Sequence, residues 1–123
     1  MFNGIIKNKG LIKKVHKRKD GINIFLKTNL KLTKKDIGIS IACDGVCLTL
    51  ISIKNKLYEF YLSKETLLRS NFKNIKNGSI INLELPLKYG HKISGHICQG
   101  HVDTVGNVLN FKKIDKSYLF NFE

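Results

Sequence analysis

The residues with the most chemical potential crowd into one late segment, Gly95-His96-Ile97-Cys98-Gln99-Gly100-His101-Val102-Asp103. Two imidazoles and a thiol stand close together there, with two more thiols upstream at Cys43 and Cys47. One chemistry they could serve is metal ligation, since zinc takes neutral imidazole and thiolate. His-x-Cys-x-x-His is not a zinc spacing, however. Cys43 and Cys47 flank Asp44-Gly45, a hairpin turn signal that sets them at opposite ends of the turn, so no metal is expected. Cys43 and Cys98 read as core or turn residues. The other chemistry is a thiol nucleophile with an imidazole base, for which Cys47 and His101 are the pair. No third residue is placed by spacing to orient the imidazole. The chain has no G-x-S-x-G elbow, no phosphate-binding loop and no dinucleotide fingerprint.

The elements that must position these residues are mostly strands. Ile22-Asn-Ile-Phe-Leu26 alternates behind Asp20-Gly21. Ile39–Ala42 and Val46–Ile53 flank Asp44-Gly45, and Leu57–Leu62 follows the polar turn Lys54-Asn-Lys56. Ser79–Leu85 is a further strand, stopped by Pro86, the only proline. Between strands, Ser63–Ser70 reads as a short helix. Ser63 is its N-cap, Thr66 stands at N3, and Leu67 and Leu68 are expected to face inward. Short strands at this spacing predict a small antiparallel barrel or sandwich, with the helix crossing its mouth.

At 123 residues the chain has room for one full domain. Its 42% hydrophobic content supports a core, and no apolar run approaches a membrane span. The first residues lack a long apolar run, so no secretory signal is expected, and three cysteines fit reduced thiols in a cytoplasmic setting. The net charge of +13 invites nucleic acid as a partner. Yet 20 of the 22 basic residues are Lys, spread along the chain, and the chain is also rich in Ile and Asn. Lys, Ile and Asn share A/T-rich codons, and phosphate and guanine readers favour Arg. Neither nucleic acid nor membrane is expected.

Shifting the chain by 96 residues lays Gly4 on Gly100, Ile6 on Val102, Gly10 on Gly106 and Ile12 on Val108. Val15 then falls on Phe111, and Ile22, Ile24 and Leu26 on Tyr118, Phe120 and Phe122. Residues 1–96 are therefore expected to form one unit. Residues 97–123 would be a linker and the first hairpin of a truncated second unit.

Five motifs, in order, resemble riboflavin synthase. Met1-Phe-Asn-Gly-Ile-Ile6 is similar to its M-F-T-G-I-(I/V) opening, and Asp44-Gly-Val-Cys-Leu-Thr-Leu50 to N-G-(V/C)-C-L-T-V. Lys64-Glu-Thr-Leu67 with Asn71 resembles x-E-T-L-x-x-(T/S)-N, and Asn82-Leu-Glu84 resembles V-N-L-E. Gly95–Asp103 resembles G-G-H-(I/L)-x-x-G-H-(V/I)-D. The resemblance implies an all-β, six-stranded antiparallel Greek-key barrel that binds lumazine. It implies dismutation of two 6,7-dimethyl-8-ribityllumazine molecules to riboflavin and 5-amino-6-ribitylamino-uracil, without cofactor or metal. It also implies a homotrimer at full length, with the site shared between neighbouring subunits, and admits lumazine synthase as a partner. Alternatives are a non-catalytic lumazine or flavin carrier and a basic nucleic-acid-binding barrel.

The same resemblance implies the site residues. Gly4, Ile5 and Ile6 would be a strand edge beneath the ring. Cys47, Leu48 and Thr49 would follow the Asp-Gly turn, with the Cys47 thiol and Thr49 hydroxyl aimed at the heterocycle. Tyr61, Leu62, Ser63, Lys64, Glu65 and Thr66 would lie at the barrel mouth, and Gly100, His101 and Val102 would open the second unit. His101, Cys47 and Thr49 are the expected catalytic residues, with His101 handling protons because imidazole titrates near neutrality. Tyr61, where the family often has an acid, and Ser63, where it has Met or similar, depart from the pattern.

Overall fold

The computed structural model describes residues 1–123. Six strands close into a barrel: β1 (Asn8–Arg18), β2 (Gly21–Thr28), β3 (Ser40–Cys43), β4 (Val46–Lys54), β5 (Leu57–Ser63) and β6 (Ile80–Glu84). Around the barrel the order is β1-β2-β5-β4-β3-β6, and every pairing is antiparallel. The meander β3-β4-β5 with β2 returned beside β5 is a Greek key. The turn between β3 and β4 takes positive φ at both Asp44 (46°) and Gly45 (83°), the conformation that matches strand twist in a two-residue hairpin.

Alternation decides which side chains fill the barrel. On β4, Val46, Leu48 and Leu50 are buried while Cys47 is half-buried and Thr49 exposed. The pairing with β5 then slips between Leu50 and Ser52. This bulge reverses the phase, so that Ile53 packs on the core. A second bulge on β1, between Ile12 and Lys14, likewise brings both Ile12 and Val15 inward. Phe60, Leu62, Ile24, Leu26, Ile41, Ile81 and Leu83 complete the filling, each almost fully buried. Burying such a side chain contributes about 1.5–3 kcal/mol. A six-stranded barrel this narrow is filled by its own side chains, so a ligand must bind outside it.

The N-terminal segment departs from expectation. Gly4, Ile5 and Ile6 are not a strand edge, because β1 starts only at Asn8. The Glu84 carboxylate takes the N–H groups of Asn3 (2.6 Å) and Gly4 (3.1 Å), and Gly4 bends at φ 75°. Those amides are thereby withdrawn from any ladder. The short helix α1 (Lys64–Arg69) forms where expected, with the Ser63 hydroxyl accepting the Thr66 N–H at 3.2 Å. Leu67 packs on the core, but Leu68 is 79% exposed rather than inward. Adjacent helical residues are about 100° apart, and a helix this short buries one of them.

On the outer wall, Glu59 accepts hydrogen bonds from Ser52 and Asn23. Partial burial pushes its carboxyl up. These two bonds, with Lys54 and Arg18 nearby, outweigh that and hold it below the usual range. The depressed value makes Glu59 stabilising above its unfolded-state pKa, and the stabilisation is lost as pH falls through the folded-state value. Wild type should therefore lose stability relative to Glu59→Gln as pH drops from about 5 to 3, as read by urea midpoints. Parallel pH profiles would contradict this account.

Beyond the barrel, β7 (Val108–Ile114) and β8 (Ser117–Phe122) form a separate two-stranded ribbon, exposed along its whole length. Its pairs Val108↔Phe122, Phe111↔Phe120 and Ile114↔Ser117 repeat Ile12↔Leu26, Val15↔Ile24 and Arg18↔Gly21 at the 96-residue offset. The slip between Val108 and Asn110 repeats that between Ile12 and Lys14.

Candidate functional site

A cleft of about 320 Å³ lies on the outside of the barrel, where the start of β4, helix α1 and the returning chain meet. β4 contributes Val46 and Cys47, and α1 contributes Glu65, Thr66 and Arg69. Ser70 follows the helix, and Gly100 to Asp103 form the far wall. A smaller depression of about 250 Å³ shares Cys47 and Thr66 and extends the cleft over Thr49, Ile51, Tyr61 and Ser63.

The far wall is positioned by backbone. Phe2 and Cys98 exchange two N–H···O bonds (2.7 and 2.8 Å), and the Cys47 N–H donates to the Gly100 carbonyl at 2.9 Å. Gly100 adopts φ 80°, and a Cβ there would stand 2.9 Å from the Phe2 ring and 3.0 Å from Cys47 Cβ. The buried Phe2 ring thus props the strap against β4, and His101 follows directly.

On the helix side, the Ser63 and Thr66 hydroxyls lie 3.1 Å apart, and the Ser70 hydroxyl donates to the Thr66 carbonyl at 2.6 Å. Glu65 and Arg69 form an ion pair at 3.1 Å, one turn apart. Tyr61 donates its hydroxyl to the Asp20 carbonyl at 2.9 Å. Partial desolvation and that bond push the phenol up, so it faces the cleft as a neutral ring. None of the 20 lysines lines the cleft or its extension. Its charged groups are Glu65, Arg69 and Asp103, beside the His101 imidazole. Such a surface suits a neutral, polar ligand.

The expected site residues separate into groups. Cys47, Thr49, Tyr61, Ser63, Glu65, Thr66, Gly100, His101 and Val102 all line the cleft or its extension. Leu48 and Leu62 turn their side chains into the core, although Leu48 borders the extension. Lys64 lines neither part. Gly4 and Ile6 do not line it, and Ile5 borders a different depression. Sequence reasoning passed over Arg69, Ser70 and Asp103. Arg69 lies one helical turn beyond Glu65, a spacing that would have revealed it. His96, Cys98 and His101 are not gathered into a group that could hold a metal.

Cys43 differs from Cys47. Burial pushes its thiol far up, so it stays protonated. Cys43→Ser should cost about 1–3 kcal/mol by burying a hydroxyl. Cys47→Ser should leave stability within about 0.5 kcal/mol, since surface changes cost little. Urea denaturation reads both, and the reverse ranking would refute the placement.

A filled Greek-key barrel with a lysine-free polar cleft outside β4 defines a small-molecule-binding domain. The chain belongs to the lumazine-binding domain family, whose profile matches residues 3–86. It is 36% identical over 120 residues to the riboflavin synthase of Chlamydia muridarum, covering 98% of this chain and 59% of that protein. It is 38% identical over 114 residues to the riboflavin synthase of Photobacterium leiognathi, covering 92% and 52%. The chain thus spans a little over half the length of these relatives. Its backbone matches LumP complexed with riboflavin at TM-score 0.77 and 21% identity, covering 99% of this chain and 66% of that one. LumP complexed with 6,7-dimethyl-8-(1'-D-ribityl) lumazine gives 0.74 at 20% identity, covering 99% and 65%. These structural likenesses are likenesses of fold. No helix is long and apolar enough to cross a membrane.

Proposed function

We propose that the chain is the first lumazine-binding barrel of a riboflavin synthase, and that the cleft outside β4 holds one 6,7-dimethyl-8-ribityllumazine. The observation that carries this reading is the lysine-free cleft that holds Cys47, Thr66 and His101, with Thr49 in the extension that shares Cys47 and Thr66. The reaction is a dismutation: one lumazine gives a four-carbon unit to another, yielding riboflavin and 5-amino-6-ribitylamino-uracil. No external oxidant is needed. The 7-methyl proton is acidic because its carbanion delocalises into the ring, and in this reading His101 handles it. Cys47 and Thr49, two residues apart on one strand face, offer polar contacts to the heterocycle. Ser63, Glu65 and Thr66 offer them to the ribityl hydroxyls. Most of the rate comes from holding two lumazines in register, so a second, facing barrel is required.

Residues 97–123 would begin that second barrel, a reading supported by the ribbon's strand register. A homotrimer of the full-length protein, association with lumazine synthase and a cytoplasmic location belong to the same proposal. The three free cysteines support the location. The test is fluorescence titration with the lumazine and riboflavin, followed by turnover. A polypeptide of these 123 residues should bind both, with turnover at least about a hundredfold below a two-barrel synthase, because the facing reactant is not held. Unchanged ligand emission at high protein concentration would refute the binding site. Full turnover would refute the need for a second barrel.

A further inference from the structure

A second depression, of about 290 Å³, shares no residue with the Cys47 cleft. It lies between the N-terminal segment and the strap that follows β6. Lys7 reaches it from the first, and Lys88, His91 and Lys92 from the second. None of these three lysines is in an ion pair; the chain's ion pair is Arg69–Glu65. The acid in the lining, Glu84, is 9% exposed and commits both oxygens to the Asn3 and Gly4 N–H groups. Asp36 feels the Lys88 charge, but its carboxylate is turned to the Thr33 N–H and hydroxyl, at 2.7 and 2.9 Å. Asn3, also in the lining, carries a buried Oδ1 with no donor.

Three lysines without an ion pair line one depression, and the positive charge they concentrate there favours a bound anion. Three cationic donors call for more than the two oxygens of a carboxylate. A phosphate monoester offers three acceptor oxygens and a charge near −2. The depression is walled on both sides. Leu87 N–H donates to the Met1 carbonyl at 2.9 Å on the strap side, and Glu84 latches the Asn3–Gly4 turn on the other. Such a recess admits an end group more readily than a continuous phosphodiester strand.

We propose that this depression binds a phosphate monoester of a small hydroxylated molecule, with the phosphate between Lys7, Lys88 and Lys92. The body of the ligand lies along Leu85 and Leu87. The site is independent of the lumazine cleft and of its proposed function.

Calorimetric titration of the 123-residue chain with glycerol 3-phosphate at about 0.15 M ionic strength tests this, with glycerol as the neutral control. Saturable binding of the phosphate alone is expected. Lys88→Gln/Lys92→Gln should weaken it at least about tenfold, the loss of two charge-assisted contacts. Lys13→Gln/Lys17→Gln removes the same charge from exposed β1 and should leave it within about twofold, since distant surface charges are screened. Riboflavin binding should be unchanged in both variants. Absence of saturable binding, equal weakening by the two double variants, or binding of an oligothymidylate in place of glycerol 3-phosphate would each overturn the proposal.

Discussion

On the proposed function, replacing Gly100 by alanine is expected to reduce riboflavin and lumazine binding at least about tenfold while the barrel stays folded. Two costs act at once. Gly100 sits at φ 80°, where an L side chain is strained by about 1–2 kcal/mol. Its Cβ would also press on the Phe2 ring and on Cys47 Cβ, both on the inner side of the strap. The relief available is for the strap to lift, which breaks the Cys47 N–H bond to Gly100 and carries His101 away from β4. None of the barrel's ladders passes through Gly100, so the far-ultraviolet spectrum and the urea transition should change little. Undiminished affinity in a folded variant would mean that the far wall takes no part in binding.

Gly21→Ala should act on the barrel itself, costing about 3 kcal/mol or more. Gly21 opens β2 opposite Ser63, and an added Cβ would stand 2.0 Å from the Leu62 carbonyl oxygen. That neighbour is backbone, so no rotamer change can make room. β2 must separate from β5 at the point where the Lys64 N–H also bonds to the Asp20 carbonyl. Gly45→Ala is the useful comparison, because at φ 83° it carries strain but meets no atom within 4 Å. Its cost should be about 1–2 kcal/mol. Urea midpoints that place Gly45→Ala below Gly21→Ala in stability would contradict the packing described for β2 and β5.

Local rules reached far into this fold. Period two identified β2, β4, β5 and β6, and Asp44-Gly45 fixed the hairpin that sets Cys47 and Thr49 on one face. The same rule limits what a contiguous run can supply. In Tyr61-Leu62-Ser63 or Cys47-Leu48-Thr49 the middle residue must turn inward, as Leu48 and Leu62 do. What remained illegible depends on partners distant in sequence. Gly4 to Ile6 has the look of a strand, but a carboxylate some 80 positions away claims its amides. The lysine depression joins Lys7 to Lys88 and Lys92, a meeting that only barrel closure creates.

That closure also sets a timetable for the newborn chain. Asn8 finds its partner Leu83 about 75 residues later, and β6 alone joins β1 to β3. At about 5–20 residues per second, a ribosome needs roughly 4–15 s to make the span between them. The β1–β2 hairpin can form early, and β5, β4 and β3 can add to it, but the seam between β3 and β1 stays open until β6 has been made. For those seconds the chain depends on whatever shields greasy surfaces beside the ribosome.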